Sequence, residues 1–206
     1  MALIDDLIAE GWLKTPEIIN AFRAVKREDF LPDKDRDLAE MNEALPIGSG
    51  QTISQPLVVA FMLEQLQPRA GEKILDIGSG SGWTSALLAH LVSQNGRVVA
   101  VEIVPELKEF GERNAVKYSF VKKGIVQFVC ADGSKGFEKE APYDKILCSA
   151  AIQARDVPES WKEQLKVNGA IVSPIGSSIW TIIKTSKTGF VRTEFPGFIF
   201  VPLVER

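Results

Sequence analysis

Over the last two thirds of the chain, short and nearly continuous apolar runs alternate with stretches of helical spacing. The runs "KILDIG" at 73–78, "RVVAVEI" at 97–103, "IVQFVCAD" at 125–132, "YDKILCSA" at 143–150 and "GAIVSPIG" at 169–176 carry apolar side chains at both odd and even positions. That is the pattern of strands covered on both faces, and the intervals 81–93 and 105–118 repeat their apolar residues at helical spacing. Together they predict an α/β fold, a doubly wound and mostly parallel sheet with crossover helices. Two more runs, "SIWTIIKT" at 178–185 and "GFIFVPLV" at 197–204, are expected as an antiparallel hairpin on one edge.

Before residue 69 the pattern is helical. Thr15 and Pro16 read as the N-cap and first position of a helix that places Ile18, Ile19, Phe22 and Val25 on one face. A second start lies in "SQPLVVAFMLEQLQ" at 54–67, opened by Ser54 and Pro56, and the charges, prolines and glycines of 31–50 predict a loop. With 206 residues the chain is long enough to bury one sizeable core, so a single domain with an N-terminal helical extension is expected.

Charge narrows the partners. A formal net charge of −3 offers no basic excess for a phosphate backbone, so nucleic acid is not an expected partner. No apolar run is long enough to cross a bilayer, and the first residues lack a positive segment, which makes a membrane an unexpected partner and the cytosol the expected compartment. Two cysteines without C-x-x-C spacing and a single histidine, His90, argue against a metal site or a disulfide framework.

In a doubly wound sheet, ligands bind beyond the carboxyl ends of the strands. The first of those ends is "LDIGSGSGW", where Asp76 precedes Gly78, Ser79, Gly80, Ser81 and Gly82. Glycines there permit a tight turn, close approach of a ligand and close packing of the next helix, although such turns also occur without ligands. The spacing is G-x-G-x-G, and Trp83 stands where the dinucleotide fingerprint G-x-G-x-x-G has its third glycine. Glu102, roughly 20 residues on and followed by Ile103, ends the second strand, where a carboxylate can accept from both ribose hydroxyls or simply face solvent. Asp132 and Gly133 end the third, as an acceptor for an adenine amino group beside space for the base, or as a plain Asp-Gly turn.

These features together resemble the class I S-adenosylmethionine-dependent methyltransferases. Within that class, "IGSGQTISQP" at 47–56, "APYDKILCSAA" at 141–151, "FVPL" at 200–203 and "EIINAFRAVKREDFLP" at 17–32 are similar to the protein-L-isoaspartate O-methyltransferase family, in order and over almost the whole chain. The resemblance implies a seven-stranded Rossmann-like sheet at 69–206, and a helical cover for substrate and cofactor at 1–68. It implies S-adenosyl-L-methionine as methyl donor, S-adenosyl-L-homocysteine as product, and proteins carrying L-isoaspartyl residues as acceptors; the methyl ester then closes to a succinimide, which starts repair. A monomer is expected. Carried onto this chain, it makes Ser54 the catalytic serine and places Gln51, Thr52 and Ile53 beside the cofactor, with Ser81, Glu102, Asp132 and Gly133 as further cofactor contacts. Local sequence alone gives Ser54 a different role, as N-cap of the following helix. Related enzymes that methylate RNA or a small molecule, and relatives that bind cofactor without turnover, are the alternatives.

Leu57, Val59 and Val204 depart from residues common in the family, which touches substrate grip and cofactor cover. The implied strand order 3-2-1-4 sets two strands between the third and fourth, roughly 14 Å at about 4.8 Å per step, so Cys130 and Cys148 are expected as free thiols. His90, late in the helix after the glycines, is expected to be a packing or helix-dipole residue rather than a base.

Overall fold

In the computed structural model, which describes residues 2–205, a single seven-stranded sheet organises the chain. Two helices, α1 (Ala2–Ala9) and α2 (Pro16–Ala24), come first, followed by single 3-10 turns at Arg27–Phe30 and Asp33–Leu38. A small hairpin of β1 (Leu45–Gly48) and β2 (Gln51–Ile53) then leads into α3 (Pro56–Leu66). The core alternates β3 (Lys73–Ile77), α4 (Trp83–Val92), β4 (Arg97–Glu102), α5 (Pro105–Val116), β5 (Val126–Cys130), β6 (Tyr143–Cys148) and α6 (Glu159–Gln164) before β7 (Leu165–Ile175), β8 (Ser178–Lys184) and β9 (Phe190–Pro196).

The sheet order is β5-β4-β3-β6-β7-β8-β9, with β5 through β7 parallel and β8 and β9 antiparallel. Period-two alternation builds its two faces. Ile74, Val98 and Ala100 join the core under α2 to α5, while Leu75, Ile77, Val99 and Val101 join the opposite core with Ile146 and Trp161. Every one of these side chains is buried, which is why the sequence shows unbroken apolar runs there. Chain order reverses beside β3, which continues to β4 on one side and meets β6 on the other, so a crevice opens at their carboxyl ends. Cys130 and Cys148 sit on strands separated by β4 and β3, and both are free thiols.

Four expectations need correction. The region 31–50 is not all loop, because β1 pairs with β2 across a turn in which Gly48, Ser49 and Gly50 all have positive φ. Strands this short, with Pro46 inside one, leave no alternation to read. The expected strand at 178–185 is β8, but its antiparallel partner on the edge is β9 rather than 197–204. β9 is a largely exposed edge strand and therefore lacks apolar density, whereas 197–204 joins no strand and is held by bonds from Gly197 and Phe198 N–H to Ser177 O and by two through Ala151 that form a bridge at Pro202. Ser54 does not cap α3: Gln55 holds the cap position without a side-chain bond, and Asn42 Oδ1 accepts from Leu57 N–H at 3.0 Å instead. Thr15 does hold the cap position of α2, but its hydroxyl donates to Glu64 Oε2 at 2.7 Å rather than capping.

Candidate active site

The turn from β3 into α4 forms the floor of the crevice. Gly78, Gly80 and Gly82 have φ of +74°, +49° and +83°, the left-handed region that L side chains rarely adopt. Their surroundings differ. A Cβ on Gly82 would stand 2.6 Å from Gly111 O, so this glycine lets α5 pack against the turn and does not line the cleft. Gly78 faces open space, with only Ala150 Cβ near at 3.9 Å, and that space belongs to the cleft. α4 begins at Trp83, whose N–H donates to Ser81 Oγ at 3.4 Å, while Gly82 at the cap position has no side chain to offer. Trp83 itself turns into the core, edge-on to Phe22 at 5.6 Å.

Glu102 is buried at the end of β4, where its two oxygens are already oriented. Gly80 N–H donates to Oε2 at 2.9 Å and Val104 N–H donates to Oε1 at 3.0 Å. Each carboxylate oxygen has a second acceptor site, so the group can take two more donors from the cleft it borders.

Two acidic residues expected beside the cofactor stand outside the cleft lining. Asp76 is wholly buried beneath the turn, outside the cleft lining, and accepts from Ser85 Oγ at 2.5 Å. Burial, with the Glu102 charge adding to it, raises its carboxyl to about 7 against the Ser85 bond that lowers it. Asp132 is turned toward its own loop, accepting from Ser134 N–H at 3.0 Å and pairing with Lys135 at 3.1 Å. Gly133 does line the cleft, but the space a Cβ would need is filled by Ile77 Cγ2 at 2.5 Å, so the glycine serves packing rather than leaving room for a base.

The walls come from distant parts of the chain. Residues 51–54 border one side and 78–81, Glu102 and Ile103 the floor, and the segment 201–204 closes over from the other side. That segment is held where Ala151 N–H donates to Val201 O and Leu203 N–H donates to Ala151 O, both at 2.8 Å. Thr84, in the first turn of α4, and Ser149 and Ala150, which follow β6 within the 141–151 stretch of the resemblance, also line the cleft. Ser54, Thr52, Ser149 and Val201 face a second groove as well, completed by Ala44, Val58, Ile199 and Phe200. Ser54 therefore stands at the junction of two spaces. His90 lies in the last turn of α4 and lines neither, and burial lowers its pKa.

Arg27 escaped the sequence reading. It is 6% exposed, and its guanidinium donates to the carbonyls of Ala39, Met41, Glu43 and Ser54 at 3.1, 3.0, 2.7 and 3.3 Å. Burial pulls its pKa down to about 10.

A doubly wound sheet with a glycine turn, an oriented carboxylate at the end of the second strand and a cleft at the switch point defines a Rossmann-like nucleoside-binding domain. The family model for protein-L-isoaspartate(D-aspartate) O-methyltransferase matches residues 1–206. The chain is 42% identical over 206 residues to the protein-L-isoaspartate O-methyltransferase of Methanopyrus kandleri, covering 98% of this chain and 89% of that one. It is 42% identical over 208 residues to the protein of the same name from Ignicoccus hospitalis, covering 98% and 96%. Among solved structures, a Plasmodium falciparum chain assigned the same activity and bound to S-adenosyl-L-homocysteine superposes with a TM-score of 0.89 at 22% identity, covering 100% of this chain and 98% of that one. The chain belongs to the protein-L-isoaspartate(D-aspartate) O-methyltransferase family.

Proposed function

We propose that the protein transfers a methyl group from S-adenosyl-L-methionine to the free α-carboxylate of L-isoaspartyl residues in damaged proteins. The observation that carries this reading is the position of Ser54, which borders both the cleft and the adjoining groove. A nucleoside fits the cleft: Glu102 is oriented by two backbone amides and keeps acceptor capacity for ribose hydroxyls, and the Gly78 turn leaves open space. Residues 51–53, 78–81, Ile103 and Gly133 complete the cofactor side. Asp132 is bonded to Ser134 and Lys135 of its own loop and keeps acceptor capacity for an adenine amino group, and Asp76 and Gly82 support the turn from beneath.

The bound sulfonium supplies an electrophilic methyl group. An isoaspartyl carboxylate, with a pKa near ~4, is ionised at neutral pH, so this chain needs to supply no general base. Its task is to hold the acceptor in line and keep water out, and positioning of this kind supplies most of the acceleration. Ser54 Oγ donates to the acceptor carboxylate or its neighbouring peptide, while the β1–β2 hairpin and 201–204 cover the cleft. Residues 1–68, which include that hairpin and Ser54, serve as the cover, and 69–206 as the binding core. The Leu57 and Val59 departures fall on α3, where Val59 is buried in the core and Leu57 packs partly against it. Val204 lines the cleft directly and replaces a hydroxyl with an apolar wall there.

The reading takes the protein as a cytosolic monomer acting on proteins rather than nucleic acid, supported by its net charge of −3. No helix among the described residues is long and apolar enough to cross a membrane. Incubation with labelled methyl donor tests the function, using an isoaspartyl peptide, its aspartyl twin and tRNA as acceptors. Label confined to the isoaspartyl peptide is expected; equal label in the aspartyl twin, or label in tRNA, overturns the assignment.

A further inference from the structure

Arg27 is a buried cation that no carboxylate pairs with among the described residues. Burying a guanidinium is costly unless its donors are satisfied, and a carboxylate is the usual partner. Here its partners are four backbone carbonyls, three from the segment 39–43 and one from Ser54, with its Cζ 5.5 Å from the Trp83 ring centroid. Those carbonyls come from two stretches that Asn42 also joins directly, and the guanidinium braces the junction from beneath. Residues 39–43 lie in no helix or strand, yet Asn42 from this segment caps α3 through Leu57 N–H and accepts from Gln55 Nε2 through its carbonyl. Arg27 thus fixes the start of α3 twice, directly at Ser54 O and through the segment that carries Asn42.

Resting on the reading of Ser54 above, we propose that Arg27 is a positioning residue for methyl transfer: by tying 39–43 to the Ser54 carbonyl, it sets the Ser54 hydroxyl at the junction between cleft and groove. Lysine cannot replace it, because one ammonium on a flexible stem cannot span four carbonyls that a planar fork reaches together. The bonds of Arg27 run to carbonyls rather than to a carboxylate, although Glu28, Asp37 and Glu40 line the same cavity. None of its bonds reaches Glu102 or the glycine turn. Cofactor affinity should therefore not depend on it.

Arg27, Phe22, Val25, Pro56 and Trp83 together line a cavity of about 500 Å³ that opens to solvent, and this makes chemical rescue feasible. Arg27→Ala would leave a guanidinium-sized space continuous with it. Expected for Arg27→Ala and Arg27→Lys is a fall in kcat/KM for isoaspartyl peptide of about tenfold or more, the scale of lost charge-assisted hydrogen bonds, with S-adenosyl-L-homocysteine affinity kept within about twofold. Millimolar guanidinium chloride should restore part of the Arg27→Ala activity, whereas urea or sodium chloride at matched concentration should not. In a cycle with Ser54→Ala, the two losses should be strongly non-additive. Should Arg27→Ala fail to fold, as judged by its melting transition, Arg27→Lys carries the test, with hydrogen exchange at 39–43 and 54–57 expected to rise while β3 and β4 stay protected. Full turnover in a folded Arg27 variant, or additive losses with Ser54→Ala, would overturn the proposal. A fully active Ser54→Ala would sink the role given to Ser54 and this inference with it, whereas an impaired Ser54→Ala beside a fully active, folded Arg27 variant would sink the Arg27 inference alone.

Discussion

Glu102 shows how much a single side chain can be prepared before any ligand arrives. Because Gly80 and Val104 amides already hold its two oxygens, little ordering is left to occur on binding. Glu102→Ala should weaken S-adenosyl-L-homocysteine binding by about 1–3 kcal/mol, the range for hydrogen bonds to a charged group, as titration calorimetry would show; unchanged affinity would remove Glu102 from the site. Ser54→Ala should behave differently. It should lower transfer to isoaspartyl peptide while cofactor binding persists, and because Ser54 does not cap α3, it should cost little stability. His90→Gln should keep most activity, since His90 lines neither space.

Asp76 gives a pH prediction with a definite sign. Its carboxyl titrates near 7 in the fold against an ordinary value of 3.8, so between those limits the folded chain holds a proton that the unfolded chain has released. Its contribution is intact below the lower limit and is lost as pH rises through about 7. At about 1.4 kcal/mol per pH unit, the loss is of order 4 kcal/mol over the whole interval. Asp76→Asn should therefore gain stability relative to the parent between pH 4 and 8 in urea titrations without cofactor. A difference independent of pH would contradict this.

At the scale of elements, legibility followed burial. β3 and β4 announce themselves because both faces are covered, and the glycine turn and Glu102 could be found by their distance from those strand ends. β9 was invisible because one solvated edge carries Val191, Arg192, Thr193 and Glu194 with no apolar repeat, while the apolar 197–204 drew the assignment to itself. Gly133 and Gly82 were recognisable as special, but whether ligand or neighbouring chain excludes a side chain depends on contacts with Ile77 and Gly111 that no local pattern contains. Arg27 lies in a charged stretch, "KRED", and its burial is purely tertiary. Gly82→Ala tests the packing account: a methyl 2.6 Å from Gly111 O on a left-handed backbone should cost about 2–4 kcal/mol. A melting temperature equal to the parent's would show that the turn can shift aside.

Across the whole molecule, the cleft is framed by segments far apart in sequence, 51–54 on one wall and 201–204 on the other. Synthesis imposes an order on them. As the chain leaves the ribosome, the hairpin, Ser54, the glycine turn and Glu102 emerge long before Val201 and Leu203 can engage Ala151. A nascent chain would then carry an open nucleoside site, able to exchange cofactor freely but poorly shielded from water. Released chains truncated before residue 199 should bind S-adenosyl-L-homocysteine weakly and release it fast, and restoring residues 199–203 should slow release sharply. Activity would thus be withheld until translation has passed through the cover, so a truncated message would yield a leaky receptor for the cofactor rather than a working enzyme.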